Sequence, residues 1–268
     1  MLKSPVYLVP FDFTPITENA LRIGLDFAAS NDGCVFLLHV VKTELERKKQ
    51  SEVLDAFVKG LSHEDQKRIV PKLLVGDLYK EVAKAGDILG APLSIMGTHG
   101  AKGLQKIFGS NAVKMISKSP TPFLVTVNEK PIAKIETIVM PFSFVKESLQ
   151  VLDCVRFIAK EFNAMIHLVG YHDDKVWLKE LSIENQQIAR DVLAKSGIPC
   201  EIVNLPRKKS YEDELSDYLF SVRADLIATT YFKNGILPPP NTFVQVMLEN
   251  DHEIPVLTVN ADELNLSI

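Results

Sequence analysis

The stretch of sequence that decides the fold prediction is Met96-Gly97-Thr98-His99-Gly100-Ala101-Lys102-Gly103-Leu104-Gln105-Lys106-Ile107-Phe108-Gly109-Ser110-Asn111. An apolar run from Ala91 to Met96 leads into this stretch, and a helical pattern with Ala112, Val113 and Ile116 on one side follows it. A buried strand, a glycine-rich loop and a helix in this order are typical of an α/β fold. Because glycine tolerates positive φ and lets a ligand approach the backbone, the loop and the helix N-terminus predict an anion site suited to phosphate.

The loop lacks the motifs of two common phosphate sites. It does not end in Gly-Lys-Ser or Gly-Lys-Thr, as a Walker A loop does, and it does not follow the first strand, as the dinucleotide fingerprint does. Ser110 and Asn111 are good N-cap residues, so we expect the next helix to begin at Ser110 and to end near Ser119. A loop whose glycines serve only to turn the chain is the alternative interpretation.

Composition and charge exclude several classes of protein. The chain has 268 residues, of which 46% are hydrophobic, and a formal net charge of −4, so it is long enough for two domains and has no basic excess that would indicate a nucleic-acid partner. The three cysteines, Cys34, Cys154 and Cys200, are too scattered for a metal site, and their odd number does not suit a disulfide framework, which favours a cytoplasmic location. The sequence has neither a signal-peptide pattern nor an apolar run long enough to span a membrane.

Strands and helices alternate along the first half of the chain. The predicted strands are Val6–Pro10, Cys34–Val41, Ile69–Val75, Ala91–Met96 and Phe123–Val127, and the intervening helices begin at Pro15, Glu44, Tyr79 and Ser110. This alternation predicts a parallel sheet covered by helices on both faces. In such sheets ligands bind outside the carboxyl ends of the strands.

The pattern restarts after a polar linker, residues 128–134. Pro10-Phe11-Asp12-Phe13 corresponds to Pro141-Phe142-Ser143-Phe144, and Leu38-His39 corresponds to Ile166-His167, so we interpret both histidines as structural. Self-similarity on this scale indicates two copies of one fold. The predicted domains are residues 1–128 and 135–268.

These motifs resemble those of the universal stress protein family. Gly97-Thr98-His99-Gly100 and Gly109-Ser110 match the Gly-x-x-Gly and Gly-Ser elements of its nucleotide-binding members, with one residue fewer between them than the family pattern has. The resemblance covers nearly the whole chain and is closer in the first half. It implies two tandem, doubly wound, five-stranded parallel sheets of Rossmann-like α/β fold. Since single-domain members commonly dimerise, it also implies an intramolecular pseudo-dimer paired near Phe123–Val127 and Val256–Val259.

The resemblance implies a site for ATP or another adenine nucleotide, with Mg²⁺ as a candidate companion, in the first half. In it, Asp12 lies near the ribose, backbone at Val40 contacts the adenine, and the glycine loop with the helix start holds the phosphates. Asp12 as a helix-capping or turn aspartate and His99 as a structural histidine remain open alternatives. The residues that the resemblance assigns to the site are Pro10, Asp12, Val40, Met96, Gly97, His99, Gly100, Gly109, Ser110 and Asn111.

The second half lacks these features. Ser143 replaces the acid, Phe232 stands in the place of His99, and three prolines, Pro238 to Pro240, remove backbone donors from the loop. We interpret the three prolines as a rigid connector. This half is therefore expected to be a structural or partner-binding unit.

Three functions compete at this point. The first is a stress-response regulatory protein that binds a nucleotide, and the second is an interaction protein of the same fold that binds none. The third is a weak ATPase, for which the sequence offers no convincing base or metal ligands, so we name no catalytic residue. The expected partners are the second domain, a second copy in a homodimer, and an unidentified protein.

Overall fold

The computed structural model describes residues 4–98, 108–129, 131–132, 134–142, 146–170, 176–206, 208–232 and 240–261. For residues 108–111, 176–178 and 240–242 it describes the backbone alone. The chain divides into two compact units, Met1–Pro131 and Ile132–Ile268.

The first unit alternates strands with helices along the chain. Its strands are β1 (Val6–Pro10), β2 (Cys34–Val41), β3 (Ile69–Val75), β4 (Ser94–Gly97) and β5 (Phe123–Thr126). Its helices are α1 (Pro15–Ser30), α2 (Glu44–Lys59), α3 (His63–Arg68), α4 (Leu78–Leu89) and α5 (Phe108–Ile116).

The strands of the first unit run parallel in the order β3-β2-β1-β4-β5. The order reverses between β1 and β4, because β1 pairs with β2 on one side and with β4 on the other. A parallel sheet opens a crevice at the carboxyl ends of its strands where the order reverses. β3 pairs with β2, with Pro71 beside Leu37, and its other side has no neighbour among the described strands.

The helices of the first unit follow from local sequence signals. Thr14 precedes α1 with extended backbone and Pro15 occupies its first turn, where a missing N–H costs nothing. Ten residues of α1 are buried, so this helix covers the sheet. The charged helix α2 buries Leu54 alone. The left-handed Gly90 ends α4 at φ +57°, a conformation that glycine adopts without a side-chain penalty.

The second unit repeats the arrangement. Its strands are β6 (Thr137–Phe142), β7 (Met165–Gly170), β8 (Cys200–Val203), β9 (Leu226–Tyr231) and β10 (Val256–Asn260), in the order β8-β7-β6-β9-β10, and all are parallel. Its helices are α6 (Leu152–Phe162), α7 (Val176–Lys195), α8 (Tyr211–Ser221) and α9 (Pro240–Leu248), with a 3-10 turn at Lys146–Val151.

The predicted fold class, tandem parallel α/β sheets, is confirmed. Several local predictions are wrong. α3 and the 3-10 turn were not predicted, since both are short and carry few apolar residues at regular spacing. Pro240 was assigned to a rigid connector but begins α9, where proline fits the first turn. Pairing between the two units near their fifth strands stays a prediction.

The strand registers also correct one sequence correspondence. Pro10 pairs with Leu38 in the first unit, and Pro141 pairs with Val169 in the second. The residue that corresponds to His39 is therefore Gly170, three positions beyond the predicted His167. Both segments read Leu or Ile, then His, then an apolar residue, so they look alike in sequence although they occupy different register positions.

None of the helices in the described parts of the chain has the length and apolar character needed to cross a membrane.

Candidate functional site

A cavity of about 210 Å³ lies at the carboxyl ends of β1, β2 and β4 in the first unit. This is the crevice that the reversal of strand order predicts. The loop after β1, the end of β2 and one face of α5 contribute to its walls. The lining residues are Pro10, Phe11, Asp12, Thr14, Ile16, Thr17, His39, Val40, Leu78, Tyr79, Met96, Gly97, Thr98, Ala112 and Met115.

Asp12 is held rigidly at the mouth of this cavity. Its Oδ1 atom accepts hydrogen bonds from Thr14 N (3.1 Å), Thr14 Oγ1 (2.6 Å) and Thr17 Oγ1 (2.9 Å). The bond from Thr14 N forms a turn closed by the aspartate side chain, and the bond from Thr17 joins the carboxylate to the first turn of α1, so the structure gives Asp12 the turn role that the sequence left open. Within the described part of the chain, no hydrogen bond reaches Oδ2, and the side chain is exposed. Asp12 can therefore hold the turn before α1 with one oxygen and offer the other to a ligand.

Phe13 adopts a backbone conformation that is unusual for its residue type. Its φ is 66°, in the left-handed region, where a bulky side chain costs about 1–3 kcal/mol. An aromatic cluster offsets this cost: the Phe13 ring lies edge-on to Phe11 (5.0 Å) and to His39 (4.9 Å), and Phe57 of α2 packs on Phe11 at 4.7 Å. The loop that carries Asp12 is thus anchored on both sides.

Gly97 has a packing role that the sequence did not reveal. A Cβ atom placed on Gly97 would lie 2.5 Å from the carbonyl oxygen of Ile16, closer than atoms can approach. The glycine therefore allows the first turn of α1 to rest against the end of β4. This role accounts for Gly97 without any phosphate.

The expected start of α5 is wrong. The helix begins at Phe108, so Ser110 and Asn111 lie in its first turn and do not cap it from outside. Glycine is unfavourable inside helices, which placed Gly109 in the predicted loop, but a glycine in the first turn costs little. The first four N–H groups of a helix have no partner within it, so Gly109, Ser110 and Asn111 still carry backbone donors at the helix N-terminus.

The remaining predicted site residues fall into two groups. Pro10, Val40 and Met96 line the cavity together with Asp12 and Gly97. His99 and Gly100 lie outside the described residues, so their roles stay predictions.

Comparison with known proteins identifies the first unit. The model of the universal stress protein family matches residues 7–127. The first unit is a universal stress protein domain. The match spans nearly the whole of the first unit and none of the second.

Solved structures extend the likeness in fold to both units. A universal stress protein from Archaeoglobus fulgidus is 15% identical, covers 97% of this chain and 100% of its own length, and superposes with a TM-score of 0.76. A Pseudomonas aeruginosa protein described as a candidate universal stress protein is also 15% identical, covers 96% of this chain and 94% of its own, and has a TM-score of 0.66. At this identity the likeness shows the fold alone. No protein with a curated description matches the sequence.

Sequence reasoning missed several polar residues of the universal stress domain. Asn19, which is buried, donates from Nδ2 to Thr126 Oγ1 (3.2 Å) and to the carbonyl oxygen of Asn128 (3.0 Å), and so ties α1 to the end of β5. Thr17, also buried, joins Asp12 to the helix. The available signal was a polar residue on the apolar face of α1, since buried polar side chains need partners.

The second unit has different residues at the corresponding places. At the end of β9, Thr230 stands where the first unit has Gly97, and its Oγ1 lies 3.4 Å from the carbonyl oxygen of Ser148 in the 3-10 turn. At the end of β7, a Cβ atom on Gly170 would lie 2.7 Å from Nε2 of Gln186, whose carboxamide donates to Leu168 O (3.2 Å). Gln186 therefore fills the space beside the residue that corresponds to His39. Ser143 and residues 233–239 lie outside the description.

Neither unit shows a metal centre within the described ranges, where no group of three His, Cys, Asp or Glu side chains could hold an ion.

Proposed function

We propose that the first unit binds an adenine nucleotide, ATP or a shorter relative, and that the chain is a regulatory binding protein. The observation that carries this proposal is the cavity at the carboxyl ends of β1, β2 and β4, with the carboxylate of Asp12 at its mouth. Ala112 and Met115 of α5 line the cavity, and the first turn of that helix directly precedes Ala112 in the chain.

The sugar end of the ligand is proposed to contact Asp12. An ionised carboxylate accepts hydrogen bonds, and ribose hydroxyls donate them. Because Oδ1 is occupied by Thr14 and Thr17, the contact falls to Oδ2. The three bonds hold the carboxylate in place before the ligand arrives, which lowers the entropy cost of binding.

The base is proposed to lie against the apolar wall beside Val40, Leu78 and Met96. A cavity of about 210 Å³ is smaller than the roughly 300–1,000 Å³ of ordinary ligand sites, so the phosphates are expected to extend beyond it. The backbone donors of Gly109, Ser110 and Asn111 and the partial positive charge of the helix N-terminus suit them.

A binding role is proposed in preference to catalysis. Phosphoryl transfer needs a group that holds the metal and a group that positions the nucleophile. Among the described residues, no group of three His, Cys, Asp or Glu side chains stands close enough together to hold a metal ion. A bound nucleotide would instead stabilise the site's conformation and bias a surface that a partner reads.

An interaction protein that binds no nucleotide is the second candidate, and two observations favour it. Asp12 is accounted for by the turn that it closes before α1, and Gly97 is accounted for by contact with Ile16. Neither residue needs a ligand to explain its presence.

Calorimetric titration of the nucleotide-stripped protein with ATP, ADP and AMP, with and without Mg²⁺, separates the candidates. We expect saturable binding at one site per chain. Asp12→Asn should weaken it about tenfold, because an amide retains an oxygen that can accept from Thr14 and Thr17 but loses the charge. Asp225→Asn is the matched control, since Asp225 Oδ2 accepts backbone N–H bonds from Glu136 and Thr137 in the second unit. No heat at millimolar ligand would overturn the nucleotide proposal and leave the second candidate.

A further inference from the structure

His39 is a polar side chain that neither the fold nor the proposed contacts explain fully. It lies near the end of β2, is 8% exposed, and lines the cavity beside Val40. Most buried polar side chains have their hydrogen-bonding atoms satisfied. The imidazole has two nitrogens, so both must be accounted for.

The first nitrogen fixes the chemistry of the second. Nδ1 of His39 lies 2.7 Å from the carbonyl oxygen of Phe11. A carbonyl oxygen can only accept, so Nδ1 carries the hydrogen and donates it. In the neutral ring Nε2 is then a bare acceptor. No hydrogen bond to Nε2 is found from the residues that the structure describes.

The ring that carries this acceptor is held in place. The bond to Phe11 fixes its rotation, and Phe13 lies edge-on to it at 4.9 Å. Phe57 packs against Phe11 from α2. The acceptor therefore keeps one position, as a group that selects between ligands must.

A second acceptor lies close by along the chain. Asp12 sits between Phe11 and Phe13, the two residues that contact the His39 ring, and its Oδ2 is available. A cavity with two acceptors favours a ligand that presents hydrogen-bond donors. It disfavours a ligand that places an oxygen acceptor there, because a polar atom left unpaired at a buried site weakens binding about ten- to hundredfold.

We propose that His39 is a specificity-determining residue, whose Nε2 accepts a hydrogen bond from an N–H or O–H donor of the bound nucleotide. This inference rests on the proposed nucleotide site. Two parts of an adenine nucleotide supply such a donor: the exocyclic amine of the base and the hydroxyls of the sugar. Both use the same acceptor.

The second unit lacks this acceptor. Gly170 occupies the corresponding strand position, and the carboxamide of Gln186 lies against it and donates to the backbone of Leu168. Donor selection is accordingly a property of the first unit alone.

The test compares ligands that differ by one donor. Calorimetry with AMP, IMP, 2′-deoxy-AMP and 3′-deoxy-AMP should show at least one of the three analogues binding about ten- to hundredfold more weakly than AMP. Weak binding of IMP, which has an oxygen in place of the amine, identifies the base as the donor. Weak binding of a deoxynucleotide identifies the sugar.

Two variants separate the nitrogens of His39. His39→Asn places an amide N–H where Nδ1 was, keeping the bond to Phe11, but has no acceptor at the position of Nε2, so the analogue that bound weakly should approach AMP within about twofold. His39→Gln can present an acceptor farther out and should retain part of the selectivity. Equal binding of all four ligands to the unchanged protein overturns the inference. So does a His39→Asn variant that discriminates against all three analogues as strongly as the unchanged protein does, because selectivity that comes from Asp12 alone would survive this substitution.

A measurement on the unchanged protein covers the case in which His39→Asn fails to fold. In protein with ¹⁵N-labelled histidine, the Nε2 signal of His39 should start at the value of an unprotonated nitrogen and shift on addition of AMP. AMP binding without such a shift overturns the inference and leaves the proposed function standing. Absence of AMP binding overturns both.

Discussion

The two units share one fold but differ in how the first helical segment meets the sheet. In the first unit Gly97 ends β4, and the first turn of α1 rests against it, with Ile16 O 2.5 Å from the place of a Cβ atom. In the second unit Thr230 stands at that position, and its hydroxyl reaches Ser148 O at 3.4 Å. The segment there is a 3-10 turn over Lys146–Val151, and the α-helix begins at Leu152.

This difference indicates that the residue at the end of β4 or β9 decides how closely the neighbouring helical segment approaches the sheet. A glycine admits the helix backbone, whereas a β-branched residue holds it off and bonds to it. The cavity of the first unit lies directly beside this contact, with Ile16 and Gly97 in its wall. The same strand end therefore shapes both the core and the candidate site.

Replacing Gly97 and Thr230 each by the other's residue type should give the largest change in the free energy of unfolding. Gly97→Thr places a side chain against Ile16 O, so we expect a loss of about 3 kcal/mol in the free energy of unfolding. Thr230→Gly, the reverse change, should cost about 1 kcal/mol, since it removes one hydrogen bond and adds chain entropy.

Urea titration followed by circular dichroism measures both changes. The fluorescence of Trp177, the single tryptophan and a residue of the second unit, reports that unit separately. A cost below about 0.5 kcal/mol for Gly97→Thr would mean that α1 can move away freely, and the account of the comparison would fail.

The next-largest difference in unfolding free energy is expected between substitutions of Asn19 and of Gln150, the amide side chains at corresponding positions of the two units. Asn19 donates to Thr126 and to Asn128, whereas Oε1 of Gln150, the residue at the corresponding position, has no partner among the described residues. Asn19→Ala should therefore cost about 2 kcal/mol, and Gln150→Leu should lie within about 0.5 kcal/mol of zero. Equal costs in chemical denaturation would contradict this assignment.

A smaller effect is expected where Gln186 faces Gly170. Gly170→Ala should cost about 1 kcal/mol, because the methyl group displaces the carboxamide from Leu168 O. In a double-mutant cycle with Gln186→Ala the two costs should not add, since the second change removes the atoms that the methyl group meets. Additive costs would mean that the two residues are independent.

The smallest expected effect concerns the second histidine. His167 Nδ1 lies 2.7 Å from the Tyr218 hydroxyl, whereas His39 bonds to backbone. Burial, and then the nearby Glu201, raise the pKa of Tyr218 to about 12. The folded state thus holds this proton more tightly than the unfolded chain, so the associated stability is present below pH 10 and is lost as the pH rises toward 12.

Ultraviolet titration of tyrosinate checks this shift. One of the six tyrosines should titrate near pH 12, and that step should be absent from Tyr218→Phe. A titration curve that Tyr218→Phe leaves unchanged above pH 11 would contradict it.

The fold was predictable because its signals are local and periodic. The apolar runs of β2 and β3 match the structure from Cys34 to Val41 and from Ile69 to Val75, and Thr14-Pro15 placed the start of α1. Short elements such as α3 carry too few residues for a period to show.

The site was less predictable, because its key relations join residues distant in sequence. Asp12 and Val40 could be placed at strand ends, but the contact of Gly97 with Ile16 depends on packing that no spacing encodes. The role of His39 was hidden for the same reason. The position of His39 next to Phe11 follows from the pairing of β1 with β2. The similar segment around His167 in β7 instead indicated His167 as the corresponding residue of the second unit.

Pro71 in the outer strand β3 affects whether molecules can associate through their sheet edges. An unpaired strand edge presents a row of N–H and C=O groups on which another chain can add a strand. Proline interrupts that row because it has no N–H. In edge strands it occupies positions at which the N–H of another residue would face the solvent. With the exposed Lys72 beside it, this edge is a poor template for intermolecular sheet growth in concentrated solution.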